Sequence, residues 1–105
     1  MNNTKGMLQP GSLNGKTIIV TGGGTGLGKS MTKYFLELGA NVVITSRKPD
    51  VLEKTAKELE EETGGKVLAL KCDVKTYHEV EQMVQKSIDR FGSVDGLVNN
   101  AAGNF

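Results

Sequence analysis

The stretch Thr21 to Gly28 reads TGGGTGLG and directly follows the apolar run Ile18, Ile19 and Val20. A glycine-rich turn between a strand and a helix constrains this chain more than any other feature. Without Cβ atoms the turn takes up positive φ angles and lets backbone N–H groups approach a phosphate. The helix that follows aims the positive end of its dipole at the same charge. The segment therefore points to a phosphate-bearing ligand.

The glycines alone leave two ligands open. Gly23 to Ser30, GGTGLGKS, satisfies the pattern GxxxxGK[ST], in which Lys29 would reach the β- and γ-phosphates of a nucleoside triphosphate and Ser30 would hold magnesium. The dinucleotide fingerprint GxGxxG is not met as written; Gly22, Gly26 and Gly28 give GxxxGxG instead.

The rest of the chain alternates between two periodicities. Residues 1–15 show neither and contain Pro10, Gly11 and Gly15, which reads as a surface lead-in to a domain over 16–105. Lys16 to Thr21 is predicted as a strand, and Leu27, Met31, Tyr34, Phe35 and Leu38 recur at helical spacing until Gly39. Asn41 to Ser46 reads as a buried strand. A helix opening near Pro49 and Asp50 is expected to bury Val51, Leu52, Thr55, Ala56 and Leu59, to expose pairs such as Glu53 with Lys57, and to end at Gly64 and Gly65. Lys66 to Cys72 follows as a strand. Thr76 and Glu79 have capping-box spacing ahead of a helix with the face Val80, Met83, Val84, Ser87, Ile88 and Phe91, closed by Gly92. Asp95 to Asn99 is the last strand.

Four strands joined by three helices call for a parallel sheet with helices on both faces: the N-terminal half of a doubly wound α/β fold, Rossmann-like βαβαβαβ. Ligands of such folds sit at the carboxyl ends of the strands. Thr21 to Gly28, Ser46 with Arg47, Asp73, and Asn99 to Gly103 should therefore converge on one rim.

That convergence discriminates between the two ligands. Folds that use NAD carry an acid about 20 residues beyond the glycines, at the end of the second strand, to accept the ribose hydroxyls. Here Ser46 occupies that slot and Arg47 and Lys48 follow, a hydroxyl and a planar cation suited to a 2′-phosphate, so NADP is favoured over NAD. The triphosphate reading needs an acid after an apolar strand to hold magnesium; Lys71 interrupts the approach and only Asp73 would serve.

Composition narrows the partners. Thirteen basic and 12 acidic residues give a net charge of +1, which implies neither a nucleic-acid surface nor an anionic membrane. The one cysteine, Cys72, lies in an apolar run and reads as a buried thiol. There is no apolar run of about 18 residues to span a bilayer, and Met1 to Ser12 has neither a signal-peptide core nor an arginine-rich amphipathic face. A cytoplasmic location is expected, with the mitochondrial matrix as the alternative. His78 falls in the first turn of a helix, where exposure is expected.

Three motifs in order, TGGGTGLG at Thr21 to Gly28, CDV at Cys72 to Val74, and VNNAAG at Val98 to Gly103, resemble the short-chain dehydrogenase/reductase family. Within it, GGGTGLGKSM, SRKPDVL at Ser46 to Leu52 and NNAAGNF at Asn99 to Phe105 are similar to 2,4-dienoyl-CoA reductases of fatty-acid β-oxidation. The resemblance runs from about Met7 to Phe105.

It implies a set of roles. Gly22, Gly23, Gly24, Thr25, Gly26 and Leu27 would wrap the pyrophosphate and adenine ribose of NADPH, Arg47 would pair with the 2′-phosphate and also meet substrate, and Asp73 would contact the adenine. Asn99 would brace the sheet near the nicotinamide ribose. Asn104 would hold the thioester oxygen of an acyl-CoA, Phe105 would line the acyl pocket, and Lys75 would stand near the coenzyme A moiety, where the resemblance has an arginine. No metal is implied. The family's proton donor, a tyrosine with a partner lysine, lies beyond the NNAG-type block. Tyr34 and Tyr77 are followed four positions on by Leu38 and Glu81, so neither matches. The chain is thus expected to be a cofactor half-site that turns over no substrate alone and leaves the fourth strand as a hydrophobic edge. Family members commonly form homotetramers.

Overall fold

The computed structural model describes residues 11–24 and 26–100. The elements run β1 (Thr17–Thr21), α1 (Gly26–Glu37), β2 (Asn41–Ser46), α2 (Pro49–Thr63), β3 (Val67–Lys71), α3 (Tyr77–Phe91) and β4 (Gly96–Asn99). Every strand pairing is parallel and the sheet order is β3-β2-β1-β4. The chain is thus the N-terminal half of a doubly wound α/β fold. The order reverses beside β1, because β2 lies on one side of it and β4 on the other, and this is where a crevice opens in such sheets. Register aligns the strand exits: Thr21 lies level with both Thr45 and Asn99, and Ser46 with Lys71.

β-Branched residues dominate β1 (TIIVT) and β2 (NVVITS), whose side chains alternate between two cores. On one face Val20, Val42, Ile44 and Val67 pack with Leu36 of α1 and Leu52, Ala56 and Leu59 of α2. On the other, Ile19 and Val43 pack with Cys72 and with Met83 of α3. Leu13 packs against the first core, and its N–H bonds to the Leu38 carbonyl at 2.9 Å, which fastens the end of the lead-in to the body. Residues 1–10 lie outside the described residues.

The helices lie where their periodicity put them: Met31 and Phe35 of α1 and Val80, Val84 and Phe91 of α3 pack on the cores, and each helix leaves one or two residues of its expected face exposed. In α1 the buried stripe is Gly28, Thr32 and Leu36; Leu27 is 68% exposed and Tyr34 is exposed too. A Cβ at Gly28 would run into the Gly22 carbonyl, so the helix presents Gly28 to the loop, and Leu27 beside it faces outward. In α2 the stripe Leu52, Thr55, Ala56 and Leu59 is buried as expected, while Val51, at its edge, is 52% exposed. In α3 Met83 and Ser87 are buried and Ile88 is exposed.

The capping box of α3 does not form. Thr76 makes no side-chain cap, and Glu79 Oε1 instead accepts the Asp73 N–H at 2.9 Å, reaching past the helix start to the loop that leaves β3. Both α2 and α3 end at glycine, Gly64 and Gly92, whose N–H groups bond to the Glu60 and Ile88 carbonyls. No helix among the described residues is long and apolar enough to cross a membrane.

Candidate dinucleotide site

The glycine loop is held from three sides. From β2, the Thr45 carbonyl accepts the Gly22 N–H at 2.8 Å, extending the ladder one residue past β1. From the β4 exit, Asn100 Nδ2 donates to the Gly22 carbonyl at 3.2 Å. From α2, the Thr55 hydroxyl donates to the Gly24 carbonyl at 2.9 Å. Gly23 and Gly24 are buried, Gly23 against Ile44 and Gly24 against Leu52.

The loop surface is shaped by two glycines in the left-handed region. Gly22 and Gly26 take φ of 69° and 55°, which tilts successive amides in a way a side chain would oppose. A Cβ added at Gly26 would meet nothing within 4 Å, so the space there is open. Leu27 and Gly26 stand exposed at the N-terminus of α1, whose unpaired N–H groups favour an anion. Thr25 lies outside the described residues.

The β2 exit forms the second wall. Ser46 Oγ accepts the Lys48 N–H at 3.1 Å, a hydroxyl turn that leaves Arg47 and Lys48 exposed at the rim. The Ser46 carbonyl takes the Cys72 N–H at 3.0 Å, joining this corner to the third exit. There Asp73 Oδ1 accepts the Lys75 N–H at 3.0 Å and Asp73 itself is half-buried, while Lys75 is exposed. Cys72 is buried, and that burial, with Glu79 and Asp73 nearby, raises its thiol pKa, so it stays protonated and unreactive.

At the β4 exit the Thr21 hydroxyl lies 3.0 Å from Asn99 Oδ1 and 3.3 Å from the Val98 carbonyl, tying β1 to β4 across the reversal point. Asn99 therefore does brace the sheet. The two asparagines divide the work, since Asn100 holds the glycine loop, a contact the sequence signals only as a polar pair after an apolar strand. Asn104 and Phe105 lie outside the described residues.

Lys29 does not reach over the loop. Its Nζ lies 3.3 Å from Glu58 Oε1 on α2, and Lys33 pairs likewise with Glu62 at 3.1 Å, two exposed contacts between the outer sides of α1 and α2. Among the described residues no group of His, Cys, Asp and Glu is arranged to hold a metal ion. Tyr77 and His78 are exposed at the start of α3.

Known proteins match this arrangement. The sequence pattern of the short chain dehydrogenases matches residues 16–104. An uncharacterized oxidoreductase of Caenorhabditis elegans is 50% identical over 99 residues, 93% of this chain and 32% of that protein. A probable 2,4-dienoyl-CoA reductase of the same organism is 45% identical over 100 residues, 94% of this chain and 32% of that protein. The chain thus spans about a third of the length of these curated relatives. Among solved structures, the citronellol catabolism dehydrogenase of Pseudomonas aeruginosa superposes with a TM-score of 0.81 at 42% identity, over 87% of this chain and 38% of that one. L-Sorbose reductase of Gluconobacter frateurii, solved with NADPH and L-sorbose, gives 0.79 at 35% identity, over 84% of this chain and 34% of that one. Sequence pattern, relatives and strand order agree: the chain belongs to the short-chain dehydrogenase family, oxidoreductases that use a nicotinamide cofactor.

Proposed function

We propose that residues 16–105 are the NADP-binding part of a reductase that acts on a 2,4-dienoyl acyl-CoA thioester. The observation that carries the cofactor choice is the β2 exit, where Ser46, Arg47 and Lys48 stand in place of an acid. An acid there would repel a 2′-phosphate, whereas a guanidinium pairs with it in two parallel hydrogen bonds. The glycine loop would hold the pyrophosphate, Asp73 would meet the adenine, and Asn99 the ribose beside the nicotinamide. Bound NADPH would supply the hydride.

The substrate reading is supported by the NNAAGNF block and by the relative named as a probable 2,4-dienoyl-CoA reductase. Asn104 would donate to the thioester oxygen, where negative charge builds during reduction. Phe105 would line the acyl pocket, and Arg47 and Lys75 would meet the coenzyme A moiety. In the complete protein the assembly would be a homo-oligomer, by family habit a tetramer, in the cytoplasm or the mitochondrial matrix. A second reading, a short-chain reductase of another carbonyl substrate such as a ketoacyl thioester, draws on the neighbour solved with L-sorbose. A non-catalytic nucleotide-binding module is the third.

Titration of the purified chain with NADPH, NADH and Mg-ATP tests the cofactor assignment. NADPH is expected to bind most tightly. Arg47→Ala should weaken NADPH by about 1.5–3 kcal/mol, the worth of a hydrogen bond to a charged group, and leave NADH unchanged. Tighter binding of Mg-ATP, lost in Lys29→Ala, would replace the assignment with a triphosphate site.

A further inference from the structure

We propose that Thr55 is a positioning residue for the dinucleotide, acting through the Gly24 carbonyl. This rests on the cofactor reading above. Thr55 is 4% exposed and lies in the second turn of α2. Its hydroxyl behaves unlike its counterparts. Thr32, Thr63 and Ser87 each turn back to the carbonyl four residues earlier in their own helix, at 2.7–2.8 Å. Thr55 instead leaves its helix and donates to the Gly24 carbonyl at 2.9 Å.

With its carbonyl fastened to α2, Gly24 cannot shift without breaking that bond, so the helix sets where this part of the loop stands. Leu52 closes the same contact, since a Cβ on Gly24 would lie 3.2 Å from Leu52 Cδ1, leaving the loop little room to rock. The helix that does this starts at Pro49, two residues after Arg47. Pyrophosphate cradle and 2′-phosphate corner are therefore held by one rigid element.

The two contributions carry different signatures. Arg47 acts on a group that only NADPH has. Thr55 acts on the cradle for the pyrophosphate, which NADPH and NADH share. Binding of both coenzymes to the purified chain is measured by nicotinamide fluorescence at 10 °C, with folding checked by circular dichroism. Thr55→Val is expected to weaken NADPH and NADH by the same factor, roughly three- to tenfold for one lost hydrogen bond, and Thr55→Ser to restore both. A purely structural Thr55 would lower the unfolding temperature of Thr55→Val without moving either dissociation constant in the folded protein, and that result overturns the proposal. So does a loss confined to NADPH. If Thr55→Val does not fold at 10 °C, Thr55→Ala is compared with Thr55→Ser by the same criterion. Wild-type chain that binds neither coenzyme removes the cofactor reading and this inference together, whereas normal wild-type binding with an indifferent Thr55 removes only the inference.

Discussion

Gly28 shows how one residue sets both packing and site. Its α-carbon sits where any side chain would enter the Gly22 carbonyl, so α1 and the glycine loop can meet only with a glycine between them. Gly28→Ala is expected to destabilise the fold by about 1–3 kcal/mol, the usual range for forced overpacking, and to weaken coenzyme binding as the loop moves aside. Urea unfolding and a coenzyme titration check the two effects separately. The sequence suggested a phosphate-binding loop, yet it did not disclose that Leu27 and Tyr34 face outward, because they fit a helical period as well as Gly28, Thr32 and Leu36 do. Thr55 was legible as buried but not as a contact of the loop, since a small β-branched residue in an apolar stripe looks like any other filler.

Among the elements, strand boundaries were readable to within a residue where β-branched runs meet glycine or polar ends, as in Asn41–Ser46. The start of α3 was readable too, at Thr76, but its bonding was not, because Thr76 and Glu79 have the spacing of a reciprocal cap and the carboxylate instead has a backbone donor on the neighbouring loop. A second carboxylate works at the opposite end of the sheet. Asp95 Oδ2 accepts the Thr17 N–H and the Ser93 hydroxyl, both at 2.9 Å, while the Asp95 N–H bonds the Thr17 carbonyl, which clamps the start of β1 to the approach of β4. The Thr17 N–H, followed by Ser93, holds the Asp95 carboxyl below its ordinary value of 3.8. A lowered pKa means that the folded state prefers the ionised form. The stabilisation is therefore complete above the ordinary value and is lost as pH falls from there through the folded one. Asp95→Asn should thus lower the urea midpoint at pH 7, and the gap from wild type should close as pH is taken below about 3.8, read from paired unfolding curves.

At the scale of the molecule, four strand exits converge on one rim, and that convergence was legible because a parallel sheet must place all its carboxyl ends together. What lies beyond β4 was not. Among the described residues β4 pairs only with β1, and Leu97 is 59% exposed on the sheet face that carries α3. The relatives that this chain matches are about three times as long. The tyrosine–lysine pair that the family resemblance implies has no match at Tyr34 or Tyr77, the latter 76% exposed. The chain of 105 residues is accordingly expected to bind coenzyme but to show no oxidation of NADPH in the presence of a dienoyl-CoA, followed by the loss of nicotinamide absorbance.

The tight seat of Gly28 against Gly22 also limits how such a protein changes its preferences over time. With Gly23, Gly24 and Gly28 each closed in by neighbours, the loop offers little to vary at those positions, so on the cofactor reading proposed above a change of coenzyme would be written at the β2 exit, in Ser46, Arg47 and Lys48, whose side chains are not packed into the core. An engineer who wished to invert the coenzyme choice would leave the loop alone and redraft those three positions.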